Sequence, residues 1–240
     1  DQFMEGSVMR SMVVLCLLVS STVLVAGCQT DMLFHVPGSG SIQRLHCGDA
    51  RVLPLSTTNN SHALWSPDGR LVVYRGEDRN GPALFVTDSR GSSPRNITEG
   101  TVAVPTHDFV WGPDSAWIFY TASNSLGTLA IYRVNVSAPT VPQPLTPLSL
   151  NSMNPSVSPD GREFVYASNH PRDLATFDLY ASRVDGDNRH MLVETPGINE
   201  YLPSWGPDGR IAFVRDRRVV LRQGGGELVE LDNYAGNFPS

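Results

Sequence analysis

The chain has 240 residues, a net charge of −6 and 18 basic residues, every one of them arginine. That length is enough to bury an all-β core, and 21 glycines with 18 prolines suit a protein built of short strands and turns. With no basic cluster beyond Arg215, Arg217 and Arg218, a nucleic-acid partner is not indicated. The three cysteines, Cys16, Cys28 and Cys47, are too few for a disulfide framework and lack the spacing of a zinc site.

From the N-terminus, Arg10 is followed over residues 11–30 by a charge-free, mostly apolar run that ends in small residues, the layout of a secretory signal. Its end, Leu24-Val25-Ala26-Gly27-Cys28, resembles the lipobox of bacterial lipoproteins. The resemblance implies cleavage before Cys28, acylation of that residue, and attachment of an exported domain to a membrane through the lipid. A plain signal peptide with a coincidental cysteine and an uncleaved membrane helix are the other readings, although the run is short for a comfortable span. The expected domains are therefore a signal segment over 1–28, a flexible tether over 29–41 containing Pro37-Gly38-Ser39-Gly40-Ser41, and a folded domain over 42–240.

Residues 42–46 and 51–55 read as the last two strands of a unit whose first two are not upstream, which asks for a matching inner hairpin from the C-terminal side. Four complete four-strand units follow: 63–65, 71–75, 83–88 and 95–98; 109–111, 117–121, 129–134 and 143–146; 155–158, 163–167, 178–183 and 190–193; 203–205, 210–214, 218–222 and 227–231. Each opens on the same hairpin. Its turn is Ser66-Pro67-Asp68-Gly69, then Gly112-Pro113-Asp114-Ser115, Ser158-Pro159-Asp160-Gly161 and Gly206-Pro207-Asp208-Gly209, with the Asp residues at intervals of 46, 46 and 48. Pro pre-sets the second position of a type I turn, Asp suits the third, and Gly tolerates the exit. Ser115 breaks the last rule and is expected to force a different exit conformation. A period of this length with several strands per unit is the signature of a β-propeller. The expected fold is thus all-β, with four recognisable four-stranded antiparallel blades and partial ones. Asn237-Phe238-Pro239-Ser240 repeats Tyr201-Leu202-Pro203-Ser204 and Met153-Asn154-Pro155-Ser156, so the sequence reads as cut within a fifth inner strand.

These repeats, together with Leu179-Tyr180-Ala181-Ser182-Arg183-Val184-Asp185-Gly186, resemble the WD-like repeat of the TolB family over about residues 42–240. The resemblance implies a propeller, and the repeat occurs in several functional settings. In TolB it binds peptidoglycan-associated lipoprotein in the periplasm; it also forms sensor and surface proteins and the non-catalytic domain of prolyl oligopeptidase-type serine peptidases. A lipobox in place of a plain signal, and a tether where TolB has a small α/β domain, set this sequence apart from TolB itself.

Catalytic chemistry is not legible. There is no Gly-x-Ser-x-Gly elbow, and the six histidines show no paired metal-ligand spacing, so no cofactor or metal is expected. Because Asp68, Asp114, Asp160 and Asp208 recur in every blade, they read as turn devices that accept backbone N–H bonds. The expected function is a non-enzymatic, lipid-anchored, monomeric propeller of the bacterial cell envelope. Its partner would be an envelope protein or peptidoglycan-associated lipoprotein, held by the loops before the inner strands: 56–62, 101–108, 151–155 and 197–202. The contact candidates there are His62, His107, Asp108, Asn154, Glu200 and Tyr201, and Cys28 carries the lipid. The competing reading is the gating propeller of a serine peptidase whose catalytic domain lies beyond Ser240. A sugar- or lactone-handling hydrolase with a channel metal comes third, without the convergent His and Glu residues it needs.

Overall fold

Runs such as Leu71-Val72-Val73-Tyr74 and Trp117-Ile118-Phe119-Tyr120 offer apolar side chains to both faces of a strand, which suits sheets covered on two sides. The computed structural model describes residues 31–36, 40–46, 49–55, 57–99, 104–138, 141–171 and 173–231. Among these residues it contains five antiparallel sheets and no helix. The first sheet holds β1 (Asp31–Val36), β2 (Ser41–His46) and β3 (Asp49–Val52). Blade I is β4 (Thr58–Trp65), β5 (Leu71–Asp78), β6 (Gly81–Asp88) and β7 (Arg95–Asn96). Blade II is β8 (Val104–Trp111), β9 (Trp117–Ser123), β10 (Leu129–Asn135) and β11 (Gln143–Pro144). Blade III is β12 (Ser152–Val157), β13 (Glu163–His170), β14 (Asp173–Arg183) and β15 (His190–Val193), and blade IV is β16 (Glu200–Trp205), β17 (Ile211–Arg215), β18 (Arg218–Arg222) and β19 (Leu228–Glu230). Each sheet is a meander in chain order, and β4, β8, β12 and β16 pack successively on one another as the innermost strands. The fold is a β-propeller.

The N-terminal boundary differs from the expected one. Residues 31–36, assigned to a tether, form β1, and β1 pairs with β2 from Asp31 opposite His46 to Val36 opposite Ser41. The segments 1–30 and 232–240, including Cys28 and the final Asn237-Phe238-Pro239-Ser240, lie outside the described residues.

Alternation along each second strand shares its side chains between two inter-blade cores. On β13, Phe164 and Tyr166 turn toward blade II and pack with Phe119 and Ile131, whereas Val165 and Ala167 turn toward blade IV and pack with Ile211 and Phe213. Tyr74, Tyr120 and Tyr166 are fully buried at the same place in three blades. Each faces an aromatic ring on the third strand in register, Phe85, Tyr132 and Tyr180, with centroids 5.6, 5.7 and 6.1 Å apart. Such a pair contributes about 0.5–1.5 kcal/mol beyond the area it buries.

Arginines latch one blade to the next. Arg44 donates to the Ser89 carbonyl at 3.0 Å, Arg95 to that of Val136, and Arg133 to that of Val184 at 2.7 Å; each acceptor directly follows the third strand of the next blade. The Arg133 guanidinium also lies 4.8 Å from the centre of the Trp117 ring. A lysine keeps the charge and loses both the planar stack and the fork of donors, so Arg133→Lys is expected to cost about 1 kcal/mol. The measurement is a lower urea midpoint at unchanged slope.

The repeated turns are closed by their own side chains. Gly69 N–H donates to the Ser66 carbonyl at 2.9 Å, and Gly69 takes the left-handed φ of 71° that glycine adopts without steric cost. Asp68 Oδ1 accepts from the Ser66 hydroxyl at 2.6 Å and from Arg70 N–H at 3.1 Å, and Asp160 repeats this with Ser158 at 2.7 Å and Arg162 at 3.1 Å. Where glycine replaces the serine, Asp114 accepts from Ala116 N–H at 2.9 Å and Asp208 from Arg210 N–H at 3.1 Å. The serine hydroxyls hold the carboxyls of Asp68 and Asp160 below the ordinary carboxylate range, and the Arg210 side chain does so for Asp208. Ser115 does not force a different exit. It adopts φ 59°, the conformation of the glycines it replaces, and its Oγ accepts Asp68 N–H at 3.1 Å across the blade boundary, a partner glycine could not supply.

Candidate functional site

The inner strands pack successively on one another across all four blades, so side chains from more than two blades can meet there. The stretches expected as rim loops are largely strand: β4 starts at Thr58, β8 at Val104, β12 at Ser152 and β16 at Glu200. Each inner strand slips in register against its neighbour, between Ser61 and Ala63, Pro105 and Phe109, Met153 and Ser156, and Tyr201 and Ser204. These slips are β-bulges, which bend a strand and re-aim its side chains. In blades I, III and IV the bulge contains a residue six positions before the turn Asp, and that residue is left-handed: His62 (φ 46°), Asn154 (φ 56°) and Leu202 (φ 54°). Asn visits this region readily, whereas a leucine there costs roughly 1–2 kcal/mol. Asp108 holds the same position in blade II.

Two of these residues meet. Asn154 Nδ2 donates to Asp108 Oδ2 at 2.9 Å, joining the inner strands of blades II and III. Around them opens a depression of about 200 Å³ whose lining includes Asp108, Phe109, Asn154, Pro155, Leu202 and Pro203 from three successive blades. Leu202 is 49% exposed, so its strained backbone holds an apolar side chain out toward solvent. Neighbouring inner strands are fastened beside it, since Trp205 N–H donates to Ser156 Oγ at 2.9 Å and Trp111 Nε1 donates to the Leu64 carbonyl at 3.3 Å.

The other candidates fare differently. His62 is exposed on β4 and does not line the depression. His107 lies on β8, but its side chain is outside the described residues. Glu200 is not a rim contact: it is fully buried, and neither carboxylate oxygen has a hydrogen-bond partner among the described residues. Burial raises its pKa, the carboxylates of Asp178 and Glu194 add to the effect, and Thr195 and Arg215 oppose it. Tyr201 is half-buried against the core between blades III and IV, beside Val165 and Phe213. Leu202 and Pro155 lie within the stretches expected to make contact without being among the named candidates, although Leu202 stands in the repeat position of Asp108 and Asn154, and Phe109 and Pro203 lie just outside those stretches. Among the described residues no group of three His, Cys, Asp or Glu side chains could hold a metal ion.

The profile of the PD40 family, described as the TolB beta propeller domain, matches residues 39–224. The chain belongs to this family. A comparison with curated proteins found none that matches. Among solved structures, this TolB-type propeller is similar to a putative TolB from Agrobacterium tumefaciens, with TM-score 0.68 and 21% identity over 83% of this chain and 76% of that one. It is similar to TolB from Acinetobacter baumannii, with TM-score 0.62 and 17% identity over 84% and 52% of the two chains. It is also similar to a puromycin-hydrolyzing peptidase from Mycobacterium tuberculosis, with TM-score 0.66 and 14% identity over 88% and 39%. The TolB-type propeller thus spans about half of the Acinetobacter protein and well under half of the peptidase. At these identities the likeness is one of fold.

Proposed function

We propose that this TolB-type propeller is an exported, lipid-anchored protein of a bacterial cell envelope that binds a protein partner without catalysing a reaction, and that the partner docks on the depression at the inner-strand bulges. One observation carries the reading: Leu202 is held half-exposed in a left-handed bulge beside the Asp108–Asn154 pair, where three blades meet. An apolar side chain kept in solvent at a conformational cost is the kind of feature a binding surface retains. Membership of the TolB family and the lipobox-like Leu24-Val25-Ala26-Gly27-Cys28 support an envelope location with Cys28 as the lipid carrier, and peptidoglycan-associated lipoprotein is the first partner to test.

The test immobilises the protein and measures capture of purified peptidoglycan-associated lipoprotein. Leu202→Asp is expected to weaken capture roughly tenfold or more, as removal of a central apolar anchor does, while the thermal midpoint stays near that of the parent. Equal capture by parent and variant would remove the depression from the reading. For the anchor, labelled palmitate should enter the protein in bacterial cells and fail to enter Cys28→Ser.

A second reading, the gating propeller of a serine peptidase, is favoured by the similarity to the mycobacterial peptidase, of which this chain covers 39%. A reading frame that continues past Ser240 into a Gly-x-Ser-x-Gly elbow would establish it in place of the first.

A further inference from the structure

The same place recurs on every inner strand, eight residues before the turn Asp: Asn60, Thr106, Ser152 and Glu200. In three blades it holds a neutral side chain that fastens the strand. Asn60 Nδ2 donates to the Gly40 and Thr57 carbonyls at 3.1 and 2.9 Å, and Thr106 Oγ1 donates to the Thr121 carbonyl at 3.1 Å. Ser152 Oγ shares a hydrogen bond of 2.9 Å with Ser168 Oγ. Blade IV alone among these four puts a carboxyl there, fully buried, with both oxygens out of hydrogen-bonding geometry among the described residues. Only the protonated acid has the O–H donor that serine and threonine offer at this place.

The surroundings favour that neutral form. The strands β12, β13, β14 and β17 pack on β16. Of these, β12 has no ionisable side chain, β13 has Glu163 and His170 at its two ends, β14 has Asp173, Asp178 and Arg183, and β17 has Arg215. The buried Asp178, Glu194 in the β15–β16 connection and Arg215 act on Glu200, so two carboxylates face one cation. That cation is shared: Arg215 Nη1 donates to Thr195 Oγ1 at 3.5 Å and Nη2 to Glu230 Oε1 at 2.8 Å.

The start of β16 is built to come away by itself. Its pairing with β17 is interrupted between Tyr201 and Ser204, which leaves Glu200 with Arg215 and Tyr201 with Val214 as a separate short ladder. Beyond the break, Trp205 N–H holds Ser156 Oγ at 2.9 Å; before it, Asn199 Oδ1 accepts Phe177 N–H at 3.0 Å at an exposed position. Releasing the first part also relieves the left-handed backbone of Leu202.

We propose that Glu200 is a proton-operated latch: neutral, it seats residues 200–202 in the seam with blade III, and ionised, it releases them and withdraws Leu202 from the depression. Burial and the Asp178 and Glu194 carboxylates raise its proton affinity above the ordinary value of 4.5, so the latch is closed in acid and opens as pH rises through the higher folded-state value. On the docking reading above, on which this consequence rests, the partner is held more tightly in acid.

The test is native-state hydrogen exchange on the full 240-residue chain, corrected for the intrinsic pH dependence of amide exchange, with β9 of blade II as the internal reference. From about pH 5 to about pH 8, protection of residues 200–202 should fall about tenfold in the parent, while that of β9 changes by less than about twofold. In Glu200→Gln, which keeps the shape and loses the titration, the fall should vanish; Glu200→Met gives the same readout if the glutamine variant folds poorly. Parent protection that is flat with pH, an equal fall in β9, or a fall that persists in both variants would each overturn the proposal. No partner enters this measurement. Equal capture by Leu202→Asp and parent would therefore remove the docking reading and leave the latch standing, whereas flat exchange removes the latch and leaves docking.

Discussion

Phe164→Ala is expected to destabilise the propeller by about 3–5 kcal/mol, the cost of emptying a large aromatic site in a packed core. Phe164 is fully buried, stacks on Tyr166 at 5.0 Å and meets Phe119 of blade II at 5.7 Å. It belongs to the core that joins blades II and III, with Ile131, Leu145 and Tyr180. Neighbouring rings cannot collapse into the space, because Phe119 and Tyr166 are each fixed on paired strands whose opposite faces serve another inter-blade core. That is a large fraction of a typical stability of about 5–15 kcal/mol. The measurement is urea unfolding followed by tryptophan fluorescence, with Phe164→Leu as the volume-sparing comparison, expected to cost clearly less than the alanine. An alanine penalty no greater than that of Phe164→Leu would mean that blades II and III are held by their strand edges and arginine latches instead of this core.

The same physics made the fold legible in sequence. The Pro-Asp-Gly turns carry their geometry in residue chemistry: Pro67 sets φ, Asp68 accepts the turn N–H, and Gly69 takes the left-handed exit. The runs after them, such as Phe164-Val165-Tyr166-Ala167, are apolar without a break because both faces of the strand are covered. Ser115 was misjudged because a neighbouring blade supplies the hydrogen bond that makes its left-handed backbone tolerable, and that neighbour is 47 residues away.

The site was less legible, for a related reason. A bulge destroys the period-two alternation by which strands are recognised, so the residues leading into His62, Asn154 and Leu202 read as loops. Leu202 then looked like an ordinary loop leucine, and only its place in the repeat, equivalent to Asp108 and Asn154, could have marked it. β1 was missed because its sequence lies beside a Pro-Gly-Ser stretch and contains no turn signature. Glu200 illustrates the opposite failure. A glutamate at the start of a strand is normally solvated, and nothing local to Asn199-Glu200-Tyr201 announces that blades III and IV close over it.

Glu200→Met is therefore expected to stabilise the protein at neutral pH by about 1–3 kcal/mol, by removing a buried carboxylate that only the Thr195 hydroxyl and the Arg215 charge partly compensate and replacing it with an unbranched apolar chain of similar size. Arg215, its partner in the β16–β17 register, offsets the burial only in part, because the Arg215 guanidinium donates to Glu230 Oε1 at 2.8 Å on the outer strand. The pH dependence has a definite direction. Burial raises the proton affinity of Glu200 above its ordinary value of 4.5, so the fold best tolerates its neutral form. The parent protein has the full benefit of that neutral form below about 4.5 and loses it as pH rises through the higher folded-state value. Asp178, raised by burial and by the Glu194 carboxylate, acts in the same sense and is present in both proteins. The carboxyls of Asp68, Asp160, Asp173, Asp208 and Glu230 are lowered and destabilise on acidification, again equally in parent and variant. The informative quantity is therefore the difference between variant and parent at each pH, taken from urea midpoints. It should be large near neutrality and shrink as the solution is made acidic; a difference that stays constant with pH would mean that Glu200 carries its charge in a solvated environment and that blades III and IV do not close over it in solution.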